Sequence, residues 1–214
     1  MPLDALPTGA KPVRKTETTF TAGDLAPSHV LTTMTGETVA VPEAGYPVHL
    51  QFRRFAGCPV CNLHLRSFVR RADEIRAAGI HEVVVFHAPD EELLKYEAEL
   101  PFAVVGDPDK TLYREFGVET SIRAVADPRV WPAIARAVGS SMWGAVRRRN
   151  RMAPVVPTGG SLGLPADFLI APDGRIVAAK YGEHAYDQWS VDELLAHAAQ
   201  AAATAPADPT EAPA

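Results

Sequence analysis

Cys58 and Cys61 are the residues of this chain whose type and spacing most clearly indicate chemistry. They are the only cysteines among 214 residues and stand three apart, in the order Cys58-Pro59-Val60-Cys61. In a reducing compartment, an isolated pair of this kind is more often catalytic, redox-sensing or metal-binding than a structural crosslink. The pair is therefore the starting point for any functional interpretation.

The sequence around the cysteines predicts that a strand ends and a helix begins at Cys58. The apolar run 48–52 precedes the pair, and a helical pattern follows over 62–78. Pro59 suits the first helical position, and the free N–H groups at a helix N-terminus stabilise a thiolate. We expect Cys58 to be the more exposed, nucleophilic thiol, with a pKa lowered from about 8.5 to roughly 3.5–7.5. Cys61, one turn further along, is expected to be shielded and close enough to form a disulfide.

The whole chain is typical of one globular domain. The hydrophobic fraction of 47% over this length is enough for a substantial core, and the net charge of -5 gives no reason to expect nucleic-acid binding. No apolar run reaches about 18 residues, so no membrane span is expected. The first residues lack the pattern of a secretion signal, which favours the cytoplasm. We predict a flexible arm at 1–18, one domain at 19–203 and a disordered tail at 204–214.

Strands and helices alternate along this predicted domain. A small hairpin around Gly36 is expected ahead of the main sheet. The strands are predicted at 46–52, 81–87, 102–105, 167–171 and 175–180, and the helices at 62–78, 90–100, 107–117 and 190–198. A helical insertion at about 120–160 interrupts this order, and its helix ends in the basic run 147–151. The pattern predicts an α/β fold with a central sheet flanked by helices.

Four segments in this order resemble the peroxiredoxin-like family of alkyl hydroperoxide reductases and thiol-specific antioxidants, within the thioredoxin-fold superfamily. They are Asp24-Leu25-Ala26-Pro27 with the Gly36 hairpin, the strand leading to the cysteines, FAVVGDPDKTLYREFGV at 102–118 and LPADFLIAPDGRIV at 164–177. The resemblance implies a thioredoxin-like fold with a mixed sheet and a redox-active Cys58–Cys61 disulfide. It implies a hydroperoxide or disulfide substrate, an external thioredoxin- or glutathione-like electron donor and no cofactor, and it is compatible with a homodimer.

The chain departs from this family at three positions. Typical members have a proline seven residues and a threonine or serine three residues before the reactive cysteine, where this chain has Gln51 and Phe55. Where they carry an arginine, three residues before Phe168, this chain has Pro165. Thioredoxin-like reductases instead have a cis-proline there, facing the cysteines, so we expect a cis Leu164–Pro165 bond. Arg53 or Arg54 is the replacement for the missing cation, and Arg54 is the preferred candidate.

Other interpretations of these residues are weaker. A zinc site formed by Cys58, Cys61 and His64 lacks a second pair of ligands, so no metal is expected. His49, His64 and His87 are candidate bases, but histidines on strands are more often structural. The leading hypothesis is a thiol oxidoreductase. The alternative is a redox sensor without turnover, in which the disulfide changes a surface formed by the inserted helix and its arginine run.

Overall fold

The computed structural model describes residues 19–118 and 163–204, together with positions 132, 135 and 136. The predicted arm, the basic run 147–151 and residues 205–214 lie outside the described residues. So does the helical insertion predicted at about 120–160, apart from those three positions. No helix within the described ranges is both long and apolar enough to cross a lipid bilayer.

A mixed five-stranded sheet forms the centre of the molecule, as predicted. Its strand order is β5-β4-β3-β6-β7. The strands are β3 (Val48–Arg53), β4 (His81–Phe86), β5 (Ala103–Gly106), β6 (Ala166–Ile170) and β7 (Ile176–Tyr181). β3, β4 and β5 run parallel, whereas β6 and β7 are antiparallel to their neighbours. The predicted N-terminal hairpin is also present, as β1 (His29–Thr32) paired with β2 (Thr38–Val41).

Five helices flank the sheet within residues 19–118 and 163–204. They are α1 (Pro59–Arg70), α2 (Ala72–Ala77), α3 (Asp90–Tyr96), α4 (Thr111–Glu115) and α5 (Val191–Thr204). The single helix predicted at 62–78 is divided, because Arg71 leaves helical geometry with φ -114° and ψ 19°. The helix predicted at 90–100 ends at Tyr96, and the segment after it turns back toward the cysteines.

The two faces of the sheet bury different layers. Phe52 and Phe168 pack with Phe116, which follows α4, and with the N-terminal hairpin. On the opposite face, Leu169 packs with Phe68 of α1 and with α2 and α5. Because successive strand residues point to opposite faces, the polar residues of β3 lie under α1, where they are also buried.

Local hydrogen bonds fix the ends of two predicted helices. Asp107 accepts hydrogen bonds from the backbone N–H groups of Thr111, Leu112 and Tyr113 at the start of α4. Ser190 and Glu193 form the predicted capping box before α5. The carboxyl ends of β3 and β4 then meet at the edge of the sheet from which the cysteine segment leaves.

Candidate active site

Cys58 lies at the N-cap of α1, with Pro59 in the first turn, as the sequence predicts. A tight turn brings the chain there from β3: the Cys58 N–H donates to the Phe55 carbonyl over 3.2 Å, and Gly57 has φ +72°. A positive φ of this size suits glycine, which has no Cβ to clash. The turn therefore places the Cys58 sulfur directly at the helix N-terminus.

Both cysteines are free and buried, so the prediction of an exposed Cys58 is wrong. Each retains 1% of its accessible surface. The physical reason is a local apolar cluster: Phe55 and Val60 pack with the two cysteines, and Leu63 and Tyr186 lie against them. The position of Cys58 at a helix N-terminus does not by itself expose the sulfur.

The two thiols differ strongly in acidity. Burial opposes ionisation of Cys58, but a hydrogen bond from Cys61, the charge of Arg54 and backbone N–H groups of α1 lower its pKa to about 7. Burial and the hydrogen bond to Cys58 raise the pKa of Cys61 well above its ordinary value. One sulfur is therefore prepared as a thiolate and the other as a proton-bearing partner.

Arg54, and not Arg53, contacts the Cys58 sulfur. Nη1 of Arg54 lies 3.9 Å from the Cys58 Sγ. Arg53 is directed elsewhere, because its Nη2 binds the Asp167 carboxylate at 2.6 Å inside the protein. Neighbouring residues at the end of a strand point in opposite directions, which explains why only one of the two arginines reaches the cysteine.

Arg53 belongs to a buried polar network beneath α1 that the sequence does not reveal. His49 lies between two carboxylates, with Nδ1 2.9 Å from Glu82 and Nε2 3.3 Å from Asp167. Although burial acts in the opposite direction, these acids raise the pKa of His49 to about 9. Burial alone would raise the pKa of Asp167, but the positive charges of Arg53 and His49 have the larger effect and lower it. Gln51 donates to Glu82 and completes the connection along β3.

The two other candidate histidines are neutral at pH 7. Burial and the nearby Arg53 lower the pKa of His64 to about 3, and its Nε2 lies 3.4 Å from the Arg53 Nη2. Burial, Lys110 and Arg54 lower the pKa of His87 to about 4. A cation beside His64 disfavours the zinc site considered above. Across residues 19–118 and 163–204, no group of three or more His, Cys, Asp or Glu side chains is arranged to hold a metal ion.

The predicted cis bond at Pro165 is also wrong. The one cis peptide bond among the described residues joins Val41 to Pro42. Pro165 leads straight into β6, and its carbonyl accepts a hydrogen bond from the Gly182 N–H over 2.9 Å. The trans bond keeps the backbone extended and prolongs the pairing of β6 with β7. The Pro165 ring packs closely against Gly182, where an added Cβ would lie 2.7 Å from the Pro165 Cγ.

Glu97 is a buried acid beside the cysteine turn that sequence reasoning missed. It follows α3, is 2% exposed, and its Oε1 accepts a hydrogen bond from the Gly57 N–H over 2.7 Å. Burial and the neighbouring Cys58 raise the pKa of Glu97 to about 7, although the Gly57 bond acts against this. Helical spacing contained one signal: Glu97 stands four residues after the buried Leu93, on the same face.

Solved structures share this fold over most of the chain. Peroxidoxin BcpB from Mycobacterium tuberculosis is 17% identical with a TM-score of 0.59, over 84% of this chain and 97% of that one. A reduced 2-Cys peroxiredoxin from Plasmodium vivax is 13% identical with a TM-score of 0.60, over 88% and 89%. A candidate thiol:disulfide interchange protein from Chlorobium tepidum is 22% identical with a TM-score of 0.52, over 85% and 96%. The chain thus has the thioredoxin-like fold.

Sequence comparison gives the family. No curated protein matches the chain. The family model of the AhpC/TSA family matches residues 22–179, which include the cysteine pair, strands β1 to β6, most of β7 and the Asp107 segment. This match spans well over half of the 214 residues. Family membership supports a thiol-dependent oxidoreductase, and the chain belongs to the AhpC/TSA family.

Proposed function

We propose that this protein is a thiol-dependent oxidoreductase that reduces a small hydroperoxide or a small disulfide through a Cys58–Cys61 dithiol/disulfide cycle. The observation that carries the proposal is the unequal acidity of the two thiols. The pKa of Cys58 is lowered to about 7, whereas that of Cys61 is raised. A thiolate is the nucleophile in thiol chemistry, so the roles divide between the two residues.

The reaction begins with attack by the Cys58 thiolate. With a disulfide, Cys58 forms a mixed disulfide and one substrate thiolate leaves; with a hydroperoxide, Cys58 becomes a sulfenic acid and an alkoxide or hydroxide leaves. Cys61 then attacks the Cys58 sulfur and forms the Cys58–Cys61 disulfide, releasing the second thiol or water. The two cysteines supply both electrons, and an external thioredoxin- or glutathione-like donor restores the dithiol.

Arg54 has the role of the cation that stabilises the attacking sulfur. Its contact with Cys58 and the lowered pKa support this role. Pro165 was a candidate site residue because a cis bond was expected there, and this reason no longer holds since the bond is trans. We therefore assign it to the β6–β7 pairing and not to the reaction.

Burial of Cys58 favours small oxidants. At 1% exposure, the sulfur offers little surface to a disulfide within a folded protein. A hydroperoxide or a low-molecular-weight disulfide requires far less room. Membership of a family that includes peroxidases supports a hydroperoxide as the oxidant. Phe55, in place of the usual threonine or serine hydroxyl, supports a disulfide. The experiment therefore includes both oxidants.

Stopped-flow oxidation of the reduced protein tests the proposal. Hydrogen peroxide and a small disulfide are mixed separately with the parent and with the Cys58→Ser and Cys61→Ser variants. We expect the parent to lose its thiols rapidly with at least one oxidant. The Cys58→Ser variant should not react at that rate, and the Cys61→Ser variant should stop at the mixed disulfide or the sulfenic acid. Fast oxidation of Cys58→Ser would refute the assignment of the nucleophile.

Turnover separates the enzyme from a redox sensor. The oxidised protein is mixed with thioredoxin or glutathione, the matching reductase and excess oxidant. Continuous consumption of reducing equivalents is the expected result for an enzyme. A single stoichiometric oxidation without further consumption, with either donor, would favour the sensor.

A further inference from the structure

We propose that the Glu97 carboxyl shares one proton with the Cys58 thiolate and passes it to the sulfur that leaves when Cys58 attacks a disulfide. This inference deepens the proposed function and rests on it. It assigns a proton-transfer role to a residue that no motif of the chain identifies.

Geometry places the carboxyl at the reacting turn. Glu97 Oε1 lies 2.7 Å from the backbone nitrogen of Gly57, the residue that immediately precedes Cys58. Both Glu97 and Cys58 are almost fully buried, with 2% and 1% of their surfaces exposed. The Gly57 bond holds the carboxyl at the turn that leads into Cys58.

The burial of this acid requires an explanation. A carboxylate loses favourable hydration when it is buried, and a second anion at Cys58 adds repulsion. Each effect raises the pKa of Glu97, which reaches about 7 and lies close to that of Cys58. Two interacting acids of this kind titrate as a pair, so near pH 7 the pair holds one proton on average. Among the residues that the structure describes, Arg54 and the protonated Cys61 are the other ionisable groups that act on this sulfur.

A single carboxyl that gives and takes one proton is sufficient to balance the protons of the disulfide reaction. The Cys58 thiolate forms an S–S bond with one substrate sulfur, the substrate S–S bond breaks, and Glu97 protonates the departing thiolate. The Glu97 carboxylate then takes the proton released when the Cys61 thiol becomes a nucleophile. Cys61 attacks Cys58, the second substrate thiolate leaves, and that proton returns to it from Glu97. The dithiol loses two electrons, and two substrate thiols form.

The Glu97→Gln variant tests this role without removing the bond to Gly57, because the glutamine side chain retains a carbonyl oxygen. Its reaction rate is measured with two small disulfides that differ in leaving group. One is bis(2-hydroxyethyl) disulfide, which releases a basic aliphatic thiolate. The other is 5,5′-dithiobis(2-nitrobenzoic acid), which releases a weakly basic aromatic thiolate and needs no proton. The exposed Glu99→Gln is the matched control.

We expect Glu97→Gln to react about 10- to 100-fold more slowly with the aliphatic disulfide, the size typical of general acid catalysis at its lower end. The rate with the aromatic disulfide should stay within about threefold of the parent or rise, because loss of the carboxylate also lowers the pKa of Cys58. Glu99→Gln should match the parent with both reagents.

Two outcomes with the Glu97→Gln variant would overturn the inference. Equal slowing with both disulfides would indicate that Glu97 only shapes the turn. Unchanged rates with both would show that it takes no part in proton transfer. If the Glu97→Gln variant does not fold, the parent protein provides the test. The ratio of its rate with the aliphatic disulfide to its rate with the aromatic disulfide must then fall as the pH rises through about 7. If the parent reacts with neither reagent through Cys58, the proposed function fails instead.

Discussion

Two identical side chains acquire different chemistry at Cys58 and Cys61 because their surroundings differ. Both are equally buried, so burial cannot separate them. Cys58 receives a hydrogen bond from Cys61, the positive charge of Arg54 and the N–H groups at the start of α1. Once Cys58 is ionised, its charge makes ionisation of Cys61 harder. The asymmetry therefore follows from their order on one helix end.

Replacement of Arg54 should weaken the thiolate. In Arg54→Met the cation 3.9 Å from the Cys58 sulfur is lost while much of the side-chain volume remains. Removal of a nearby opposite charge shifts a pKa by about 1 to 3 units, so we expect the pKa of Cys58 to rise by about 1. The pH dependence of iodoacetamide alkylation measures this shift.

Arg54→Lys is the control for this change. It keeps the charge and should recover part of the effect. An Arg54→Met profile identical to that of the parent would show that the helix end and Cys61 alone stabilise the thiolate.

At the scale of single residues, the sequence was sufficient for groups that act through the backbone. The strand before Cys58 and Pro59 after it predict the N-cap correctly, because these depend on neighbours in the chain. Glu97 and the burial of Cys58 depend on contacts between distant segments. No pattern within 52–64 contains the information that Glu97, which follows α3, accepts a hydrogen bond from Gly57.

The helix α1 rests on a network of buried charges that belongs to the strands beneath it. Arg53 of β3 and Asp167 of β6 form an ion pair with both side chains fully buried. His64 on α1 lies against this arginine. The network thus connects the central strands to the helix that carries the cysteines, and its integrity matters for the element as a whole.

Asp167→Asn should destabilise the protein strongly. The substitution leaves Arg53 and the protonated His49 buried beside a neutral amide. Loss of one partner of a buried ion pair costs about 3–5 kcal/mol, so we expect a decrease of that order in the free energy of unfolding, measured by urea denaturation.

Asp173→Asn in the exposed β6–β7 turn is the matched control. Its side chain is 62% exposed, and a change there should stay within about 0.5 kcal/mol. If Asp167→Asn proved no more destabilising than this control, the buried network would have no structural importance.

At the scale of secondary structure, predictions succeeded where periodicity is strong. The strands 81–87 and 167–171 and the capping box at Ser190 are confirmed. The break of the helix at Arg71 was missed, since the apolar spacing continues through it. His49 and Gln51 alternate with the apolar residues of β3, yet both are fully buried because α1 covers their face of the sheet. Hydrogen bonds and ion pairs with residues of other strands, which the local sequence does not specify, offset the cost of burying these polar side chains.

Over the whole molecule, the buried histidines give the stability a defined pH dependence. His64 and His87 have folded pKa values of about 3 and 4, below the ordinary value near 6.5. The unfolded chain therefore binds protons at these sites first. Their contribution to stability is present above pH 6.5 and is lost as the pH falls toward 4. His49 has the opposite sign, because its pKa is raised.

A His64→Asn variant isolates one of these contributions. The difference in unfolding free energy between the parent and the variant should change in favour of the variant as the pH falls from 6.5 to 4.5. One titrating group contributes about 1.4 kcal/mol per pH unit, so we expect a change of roughly 2 kcal/mol across this range, from urea denaturation at each pH. Parallel curves would contradict a neutral, buried His64.

The overall architecture was the most predictable level. The order of strands and helices, together with the four family segments, leads to the mixed sheet and the N-terminal hairpin. The cis Leu164–Pro165 bond was expected by analogy with thioredoxin-like reductases, and it is not found here. In this chain Pro165 extends a strand pairing with Gly182, which depends on β7 and is not encoded next to the proline.

The most direct measurement is the titration of each sulfur in the reduced parent protein. Alkylation at a series of pH values, followed by mass spectrometry of the peptides, gives the two ionisation curves separately. The account predicts half-ionisation of Cys58 at about pH 7 and ionisation of Cys61 only in strongly alkaline solution. If both sulfurs ionised together in alkaline solution, or Cys61 first, the assignment of nucleophile and resolving thiol would be contradicted.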